Sequence, residues 1–250
     1  MASVGAAGEG RFDAAPVLGP LLRVLTYNVR GLRDDTSALV RVVRAVDPDV
    51  VCLQEAPRRL RWRPRIAALA RACDLSYVAG GGTTGGTALL AHLRVGVEQV
   101  QEHRLTKTHG LAQRGVAVAR VRGAARVAAG MDIASFHLGL DAAERLAHAD
   151  QVLAVLAARA PRRLALGGDL NEAPGGPAWT RLAAGGLTDA ASGGEVTFST
   201  RNPRLRIDTV LVSGSLDVVR AGVPTDLVVP GDVIAASDHR PVLAVLHPTG

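Results

Sequence analysis

Acidic, amide and imidazole side chains in this sequence stand directly at the ends of apolar segments. Asn28 ends the segment LLRVLTYN, Glu55 follows DVVCLQ, and Asp169 follows RLALGG. Carboxylate and amide oxygens suit a hard divalent cation, and a nearby histidine suits proton transfer. Each residue alone also has a structural interpretation as a turn, a helix cap or an ion pair. Their order along the chain therefore carries the hypothesis, and the candidates are Asn28, Glu55, His137, Asp169, Asn171, Asp208, Asp238 and His239.

The segments between these residues predict the elements that position them. Apolar, β-rich runs predict strands over 21–28, 49–54, 87–91, 115–121, 128–137, 163–168, 206–212 and 241–246. Helical spacing predicts helices over 37–46, 60–73 and 142–160, the second with an alternative start after Pro64. In the third helix, four residues are expected on the buried side: Leu146, Val152, Leu153 and Leu156. Several strands follow one another at hairpin spacing, which predicts an α/β fold with mixed sheets and the polar strand ends on one rim.

Six segments together resemble a known family. They are TYNVRG (26–31), CLQEA (52–56), FHLGL (136–140), GGDLNEAPGGPAW (167–179), RIDTVLVS (206–213) and SDHRPV (237–242). In this order they resemble the endonuclease/exonuclease/phosphatase superfamily, the metal-dependent phosphoesterases related to DNase I and exonuclease III. The most specific parts are GDLN and SDHRP. The resemblance implies a fold of class α/β (α+β), the DNase I-like four-layer sandwich with two packed mixed β-sheets flanked by helices.

Three oxygen-bearing residues are the metal ligands that the resemblance implies. Glu55 and Asp238 match family positions that supply carboxylates, and Asn28 matches one that supplies an amide. Hard cations take such ligands together with water and substrate phosphate. Neither cysteine lies in a metal-binding motif and the sequence contains no HExxH, so zinc fits less well. The expected cofactor is Mg²⁺ or Mn²⁺.

The resemblance also implies roles in catalysis. His239 is expected to transfer a proton or stabilise charge at phosphorus, with Asp208 fixing its tautomer. Asp169 is expected to orient or deprotonate the attacking water, or to hold a second metal. Asn171 is expected to donate its amide to a phosphate oxygen. The mechanism implied is in-line displacement by water without a covalent intermediate.

Further histidines and arginines are candidates for substrate contact. His137 matches the family's phosphate-contacting histidine, with a core histidine as the alternative. Arg114, together with Lys107 and His109, is expected to form a second edge of the substrate site. The basic segment 58–65 (RRLRWRPR) is interpreted either as a track for a nucleic-acid backbone or as a solvated helix face. The remaining histidines, such as His92, His148 and His247, are predicted to be surface groups.

Composition bounds the organisation and the partners of the chain. The net charge of +6 suits a phosphate-ester substrate such as nucleic acid or a phosphorylated metabolite, and equally suits an arginine-rich genome. Residues 1–20 are predicted to be a flexible leader and residues 21–248 one domain. The sequence has no apolar stretch of membrane-spanning length and no signal-peptide pattern, and two cysteines do not form a disulfide framework. A compact bacterial-type, cytoplasmic enzyme is predicted, with the oligomeric state open.

The identity of the phosphate ester is the least determined feature. The chain has only two Trp, two Tyr and three Phe, so a nuclease would have few partners for base stacking. We expect a phosphodiesterase acting on nucleic acid or on a small phosphorylated molecule. A phosphomonoesterase acting on a small metabolite is the alternative within enzymes, and a catalytically inactive binding module is the alternative outside them.

Overall fold

The computed structural model describes residues 21–123, 130–214 and 216–248, so the predicted leader over 1–20 lies outside the described residues. Within them the chain forms twelve strands and five helices. The strands are β1 (Leu22–Asn28), β2 (Val50–Gln54), β3 (Leu75–Gly80), β4 (Ala88–His92), β5 (Val95–Arg104), β6 (Gly115–Gly123), β7 (Met131–His137), β8 (Arg163–Asp169), β9 (Thr188–Asp189), β10 (Asp208–Gly214), β11 (Leu216–Gly222) and β12 (Val242–Pro248). The helices are α1 (Thr36–Val46), α2 (Trp62–Ala72), α3 (Ala142–Arg159), α4 (Pro177–Ala184) and α5 (Pro230–Ala236).

The strands form two six-stranded sheets. The first sheet has the order β11-β12-β1-β2-β4-β3 and the second the order β5-β6-β7-β8-β10-β9. Each sheet contains one parallel pair, β1 with β2 and β7 with β8, whereas the other pairs are antiparallel. The prediction of two mixed sheets is therefore confirmed.

Three apolar layers hold the sheets and the helices together. Between the sheets, residues such as Val24 and Ile133 are fully buried. Outside the first sheet, α1, α2 and α5 cover Leu25 and its neighbours, and outside the second, α3 and α4 cover Phe136 and Leu166. The central strands are buried on both faces, which explains their continuous apolar sequences. The order helix, sheet, sheet, helix is the DNase I-like sandwich that the sequence predicts.

Side chains at the helix ends explain where the helices begin. Asp35 caps α1 by accepting the backbone N–H of Ser37 at 2.8 Å, and Asp141 caps α3 in the same way. Helix α2 begins at Trp62 and keeps Pro64 in its first turn. A proline is tolerated there because the first N–H groups of a helix have no acceptor within it. The alternative start after Pro64 is therefore wrong.

Other details differ from the sequence-based prediction. Strand β7 begins at Met131, later than the predicted 128, and residues 128–129 lie outside the described residues. Leu146 is 38% exposed, because the buried stripe of α3 runs through Ala149, Val152 and Leu156 and leaves Leu146 on its flank. His148 is not a surface group: it is 1% exposed, and its Nε2 lies 2.9 Å from the carbonyl oxygen of Thr106.

No helix among the described residues is long and apolar enough to cross a membrane.

Cys52 and Cys73 are both buried free thiols. Burial raises the pKa of each thiol to about 12, so both cysteines are protonated at neutral pH.

Candidate active site

In the second sheet, strand register places three predicted residues side by side at one rim. His137 is the last residue of β7 and pairs with Asp169, the last residue of the parallel strand β8. Asp208 is the first residue of the antiparallel strand β10 and also pairs with Asp169. All three side chains are buried, with Asp169 and Asp208 each 1% exposed. Polar groups removed from water in this way must find partners among one another.

The first sheet contributes its own strand ends to the same rim. Asn28 ends β1 and pairs with Gln54 of the parallel strand β2, so Glu55 follows directly beside it. Asp238 lies shortly before β12, whose Val242 pairs with the carboxyl half of β1. The side-chain amide of Asn28 donates a hydrogen bond to Asp169 Oδ2 at 3.0 Å, which joins the rims of the two sheets.

Asp169 lies at the centre of the cluster. Its Oδ1 accepts the backbone N–H of Asn171 at 2.8 Å. The preceding residue must be glycine, because a Cβ on Gly168 would lie 2.2 Å from a ring carbon of Phe136. Burial, and after it the charge of Asp208, raises the pKa of Asp169 from 3.8 to about 7. This carboxylate can therefore accept a proton near neutral pH.

His239 and Asp208 form a hydrogen-bonded pair. The Nδ1 of His239 lies 2.9 Å and 3.1 Å from the two carboxylate oxygens of Asp208, so Nδ1 donates its proton to that group. Burial disfavours the charged imidazole, but Asp208 overcomes this and raises the pKa of His239 to about 9. The ring of Phe198 packs at a centroid distance of 4.8 Å. The Nε2 of His239 is left facing Asp169 Oδ2 at 3.8 Å.

His137 is held neutral and contributes a hydrogen-bond donor. Arg114 Nη1 lies 2.9 Å from His137 Nδ1, and because arginine only donates, Nδ1 must accept. Burial, followed by the charge of Arg114, lowers the pKa of His137 well below its usual value. The proton of the neutral ring is then on Nε2, which lies 2.9 Å from the amide nitrogen of Asn171. Two N–H donors thus lie side by side: the Asn171 amide also donates to the carbonyl oxygen of Leu138 at 3.0 Å, and His137 Nε2 lies 3.4 Å from Asp169 Oδ2.

Glu55 lies on the open side of the rim. Its backbone is in the left-handed region, with φ of 49°, and its carbonyl oxygen accepts the N–H of Gly31 at 2.7 Å. Such a conformation is uncommon for a residue with a side chain and often marks a functional position. The Glu55 carboxylate has no hydrogen-bond or ion-pair partner among the described residues and borders a cavity of about 410 Å³ that Arg58 and Arg114 also line.

Asp238 is half-buried and pairs with an arginine that sequence analysis did not select. The Nε of Arg30 lies 3.2 Å from Asp238 Oδ2, and the backbone N–H of Arg30 donates to Asn28 Oδ1 at 3.0 Å. Ser237 supports the same region, since its hydroxyl donates to the carbonyl oxygen of Asn28 at 2.7 Å. Arg30 lies in the motif TYNVRG and Ser237 in the motif SDHRPV. Their positions in these motifs were the only sequence feature that pointed to a place in the site.

Comparison with known proteins identifies the family. The model of the endonuclease/exonuclease/phosphatase family matches residues 25–239. The chain belongs to the endonuclease/exonuclease/phosphatase family. Members are hydrolytic phosphoesterases, so this protein is an enzyme of that class, and the resemblance inferred from the six segments is confirmed. No curated protein matches the chain.

Solved structures of this family share the fold at low sequence identity. An endonuclease/exonuclease/phosphatase from Bacteroides vulgatus superposes with a TM-score of 0.77 at 17% identity, covering 92% of this chain and 99% of its own. The mannosyl-6-phosphatase Bt3783 of Bacteroides thetaiotaomicron gives 0.74 at 19%, covering 90% and 99%. TDP2 of D. rerio, complexed with single-strand DNA product, gives 0.69 at 18%, covering 91% and 99%.

The family's divalent cation can be compared with the residues present at the rim. The predicted ligands Glu55, Asp238 and Asn28 offer only oxygen donors, and the Glu55 carboxylate is free of protein partners within the described residues, which fits a hard cation. A second grouping, Asp169, Asp208 and His239, has ligand atoms within 4.8 Å of one another. In that grouping the imidazole is already hydrogen-bonded to a carboxylate, an arrangement suited to proton transfer.

Not every candidate substrate residue joins the site. Arg114 does, through His137. Lys107 and His109 are exposed in the loop between β5 and β6, and their side chains have no hydrogen bond or ion pair with any other described residue. Within the basic segment 58–65, Arg58, Arg59 and Arg65 line the cavity next to Glu55, whereas Arg61 and Arg63 do not.

Proposed function

We propose that this enzyme hydrolyses a phosphodiester of nucleic acid or of a small phosphorylated molecule by in-line attack of water. One observation carries the proposal. Around Asp169 Oδ2, a carboxylate whose pKa is about 7, lie His239 Nε2 at 3.8 Å and His137 Nε2 at 3.4 Å. A base, an acid and donors for an anion within one buried cluster are the groups that cleavage of a P–O bond by water requires.

In the proposed mechanism each residue acts at a stated atom. Asp169, in its unprotonated form, accepts a proton from the attacking water. The imidazolium of His239 donates from Nε2 to the charge that develops on oxygen, while Asp208 holds Nδ1. His137 Nε2 and Asn171 Nδ2 donate to a non-bridging phosphate oxygen. These hydrogen bonds strengthen as negative charge grows, so they lower the barrier rather than merely binding the substrate.

Glu55, Asp238 and Asn28 are proposed to hold Mg²⁺ or Mn²⁺. Bound there, the cation neutralises negative charge on the phosphate group. The unpaired carboxylate of Glu55 supports this role, because it is free to take a hard cation as its partner.

Phosphomonoester hydrolysis is the second candidate, and the same cavity favours it. Arg33, Arg58, Arg59, Arg65 and Arg114 line the cavity with Glu55 as its one carboxylate, so the cavity has a surplus of positive charge. A monoester carries more negative charge than a diester, and the guanidinium of Arg114, which contacts His137, favours the more highly charged group. The similar structure of a mannosyl-6-phosphatase supports the same candidate.

Two substrates that release the same leaving group, p-nitrophenolate, distinguish the two candidate functions. We expect bis(p-nitrophenyl) phosphate to be hydrolysed faster than p-nitrophenyl phosphate in Mg²⁺ or Mn²⁺, and both reactions to stop in excess chelator. The His239→Ala variant serves as the control for contaminating activity. Cleavage of the monoester alone would replace the first candidate by the second, and full activity in chelator would refute the cation's role.

A further inference from the structure

Three of the arginines around the cavity, like Arg71 and Arg162 elsewhere in the described part of the chain, have side chains without an acidic partner. Outside the cavity, exposed arginines commonly pair with acids, as Arg41 does with Asp232 at 2.7 Å and Arg44 with Asp74 at 2.9 Å. The side chains of the cavity-lining residues Arg33, Arg59 and Arg65 have no hydrogen bond or ion pair within the described part of the chain. Five arginines in all line the cavity: Arg33, Arg58, Arg59, Arg65 and Arg114.

The remaining two cavity arginines are fixed by the protein. Arg58 donates from Nη1 to the carbonyl oxygens of Gly85 at 3.1 Å and Gln113 at 3.3 Å. Arg114 is only 7% exposed, and its buried Nε has no hydrogen-bond partner among the described residues. Its Nη1 reaches His137, so the cavity wall is continuous with the catalytic cluster. A nine-tenths buried guanidinium with an unsatisfied nitrogen indicates that an anion completes this site.

We infer that this cavity is a second anion subsite, so that the substrate carries a second phosphate group beside the one that is cleaved. The inference rests on the proposed function and adds the substrate class to it. Arginine suits this task because its planar guanidinium binds phosphate oxygens in pairs. Glu55, Arg33, Arg59 and Arg65 line this subsite, and Arg114, which also lines it, contacts His137 of the catalytic cluster.

The subsite recognises charge rather than bases. Trp62, the one aromatic residue of the basic segment, has its ring against Gly81, where a Cβ would lie 2.4 Å away. The ring centroid of Tyr77 lies 6.3 Å from that of Trp62, and the Arg63 guanidinium lies 4.9 Å from the Trp62 ring centroid. The ring is thus occupied by protein contacts. The second phosphate can belong to a small bisphosphorylated molecule or to the next linkage of a nucleic-acid strand.

Matched substrate pairs that differ by one phosphate test the inference. We compare glucose 6-phosphate with glucose 1,6-bisphosphate, and the dinucleotide TpT with the trinucleotide TpTpT. The variant is Arg59→Ala/Arg65→Ala. The control is Arg71→Ala/Arg162→Ala, which removes the same charge from the end of α2 and from the residue before β8. We expect the first variant to lose about 10- to 100-fold in kcat/KM on the two-phosphate member of one pair, the size expected for charged hydrogen bonds, and less than about 3-fold on its partner.

The result also identifies the source of the phosphate and separates this inference from the proposed function. A selective loss in the glucose pair indicates a small molecule, and one in the thymidine pair indicates a strand. Equal losses on both members of each pair, or none, would overturn the inference, because the arginines would then contact the cleaved group or no substrate. If wild type cleaves no substrate, calorimetric binding of inorganic pyrophosphate in chelator decides: weakening in Arg59→Ala/Arg65→Ala alone supports the subsite, and unchanged binding refutes it.

Discussion

The two ends of the β7–β8 pair each bury an aspartate, and the two aspartates behave in opposite ways. Asp132, near the start of β7, is fully buried and accepts two hydrogen bonds from each of two guanidinium groups, those of Arg159 and Arg120, at 3.0 to 3.3 Å. Burial alone would raise the pKa of Asp132, but the two arginines reverse this and lower it. At the other end, Asp169 has amide donors and a second carboxylate as neighbours, and its pKa rises to about 7.

The difference shows that the partners of a buried carboxylate, rather than burial itself, decide its role. Two guanidinium groups lower the pKa of Asp132, so it stays charged at neutral pH and cannot exchange a proton there. Burial and the negative Asp208, only partly offset by the charge of His239 and by amide donors, leave Asp169 close to its protonation point, which stabilises the fold less but allows proton transfer. Function is therefore expected at one end of the strand pair and structure at the other.

The largest expected effect is at the functional end, in the His239–Asp208 pair. We expect His239→Ala to lower kcat by about 10³- to 10⁴-fold, because it removes the proton donor. Asp208→Ala should cost nearly as much, and the double variant should lose little more than either single variant, since the two groups act as one unit. Steady-state kinetics of the four proteins measures this coupling. Independent, multiplicative losses would show that Asp208 does not act through His239.

A matched pair of substitutions tests the contrast directly. At about pH 7, Asp169→Asn should lower kcat about 10³-fold while leaving the free energy of unfolding within about 1 kcal/mol of wild type, because it removes a charge repelled by Asp208. Asp132→Asn should lower the free energy of unfolding by about 3–5 kcal/mol, because it leaves the buried Arg159 without its counter-charge. The folded fraction of that variant should retain its kcat.

Urea unfolding and single-turnover kinetics on both variants give the four values needed. If Asp169→Asn loses as much stability as Asp132→Asn, then the two carboxylates have the same structural role and the contrast is wrong.

A smaller effect is expected on the open side of the rim. Glu55→Gln keeps the size of the side chain and removes the charge that a hard cation requires. We expect the Mg²⁺ concentration for half-maximal activity to rise by about 10- to 100-fold, as when one carboxylate ligand is lost. Activity titrations with Mg²⁺ and Mn²⁺ measure this change. An unchanged midpoint would remove Glu55 from the set of metal ligands.

The sequence predicted the central strands and their polar ends well, for a physical reason. Strands such as β1 and β8 are buried on both faces, so their sequences are continuously apolar and end abruptly at Asn28 and Asp169. Strand β5 was missed because it is an edge strand, exposed over most of its length and rich in charged and polar residues. Helices α4 and α5 were missed because they are short, at eight and seven residues.

Pairings between distant segments could not be predicted. The ion pair of Arg30 with Asp238 joins residues that only the fold brings together, and the contact of Arg114 with His137 depends on the register of β6 and β7. Burial of His148 depends on the loop between β5 and β6, whose carbonyl oxygen it meets. Local sequence patterns contain no information on such partners, whereas the order of motifs along the chain did identify the cluster.

The smallest expected effect is a pair of opposite pH dependences in stability. The folded-state pKa of Asp132 lies below its ordinary value of 3.8. The stability that Asp132 contributes to the folded protein is therefore complete above pH 3.8 and is lost as pH falls from there through the folded-state pKa. Because the folded-state pKa of Asp169 is about 7, the folded protein binds more protons than the unfolded chain between these values. Stability due to Asp169 therefore falls as pH rises through that range, by at most about 1.4 kcal/mol per pH unit.

Unfolding free energies in chelator measure both dependences. The difference between wild type and Asp169→Asn should decrease from about pH 5 to about pH 8. The difference between wild type and Asp132→Asn should stay constant there and shrink only below about pH 4. The same pH dependence of both differences would contradict the contrast between the partners of Asp132 and those of Asp169.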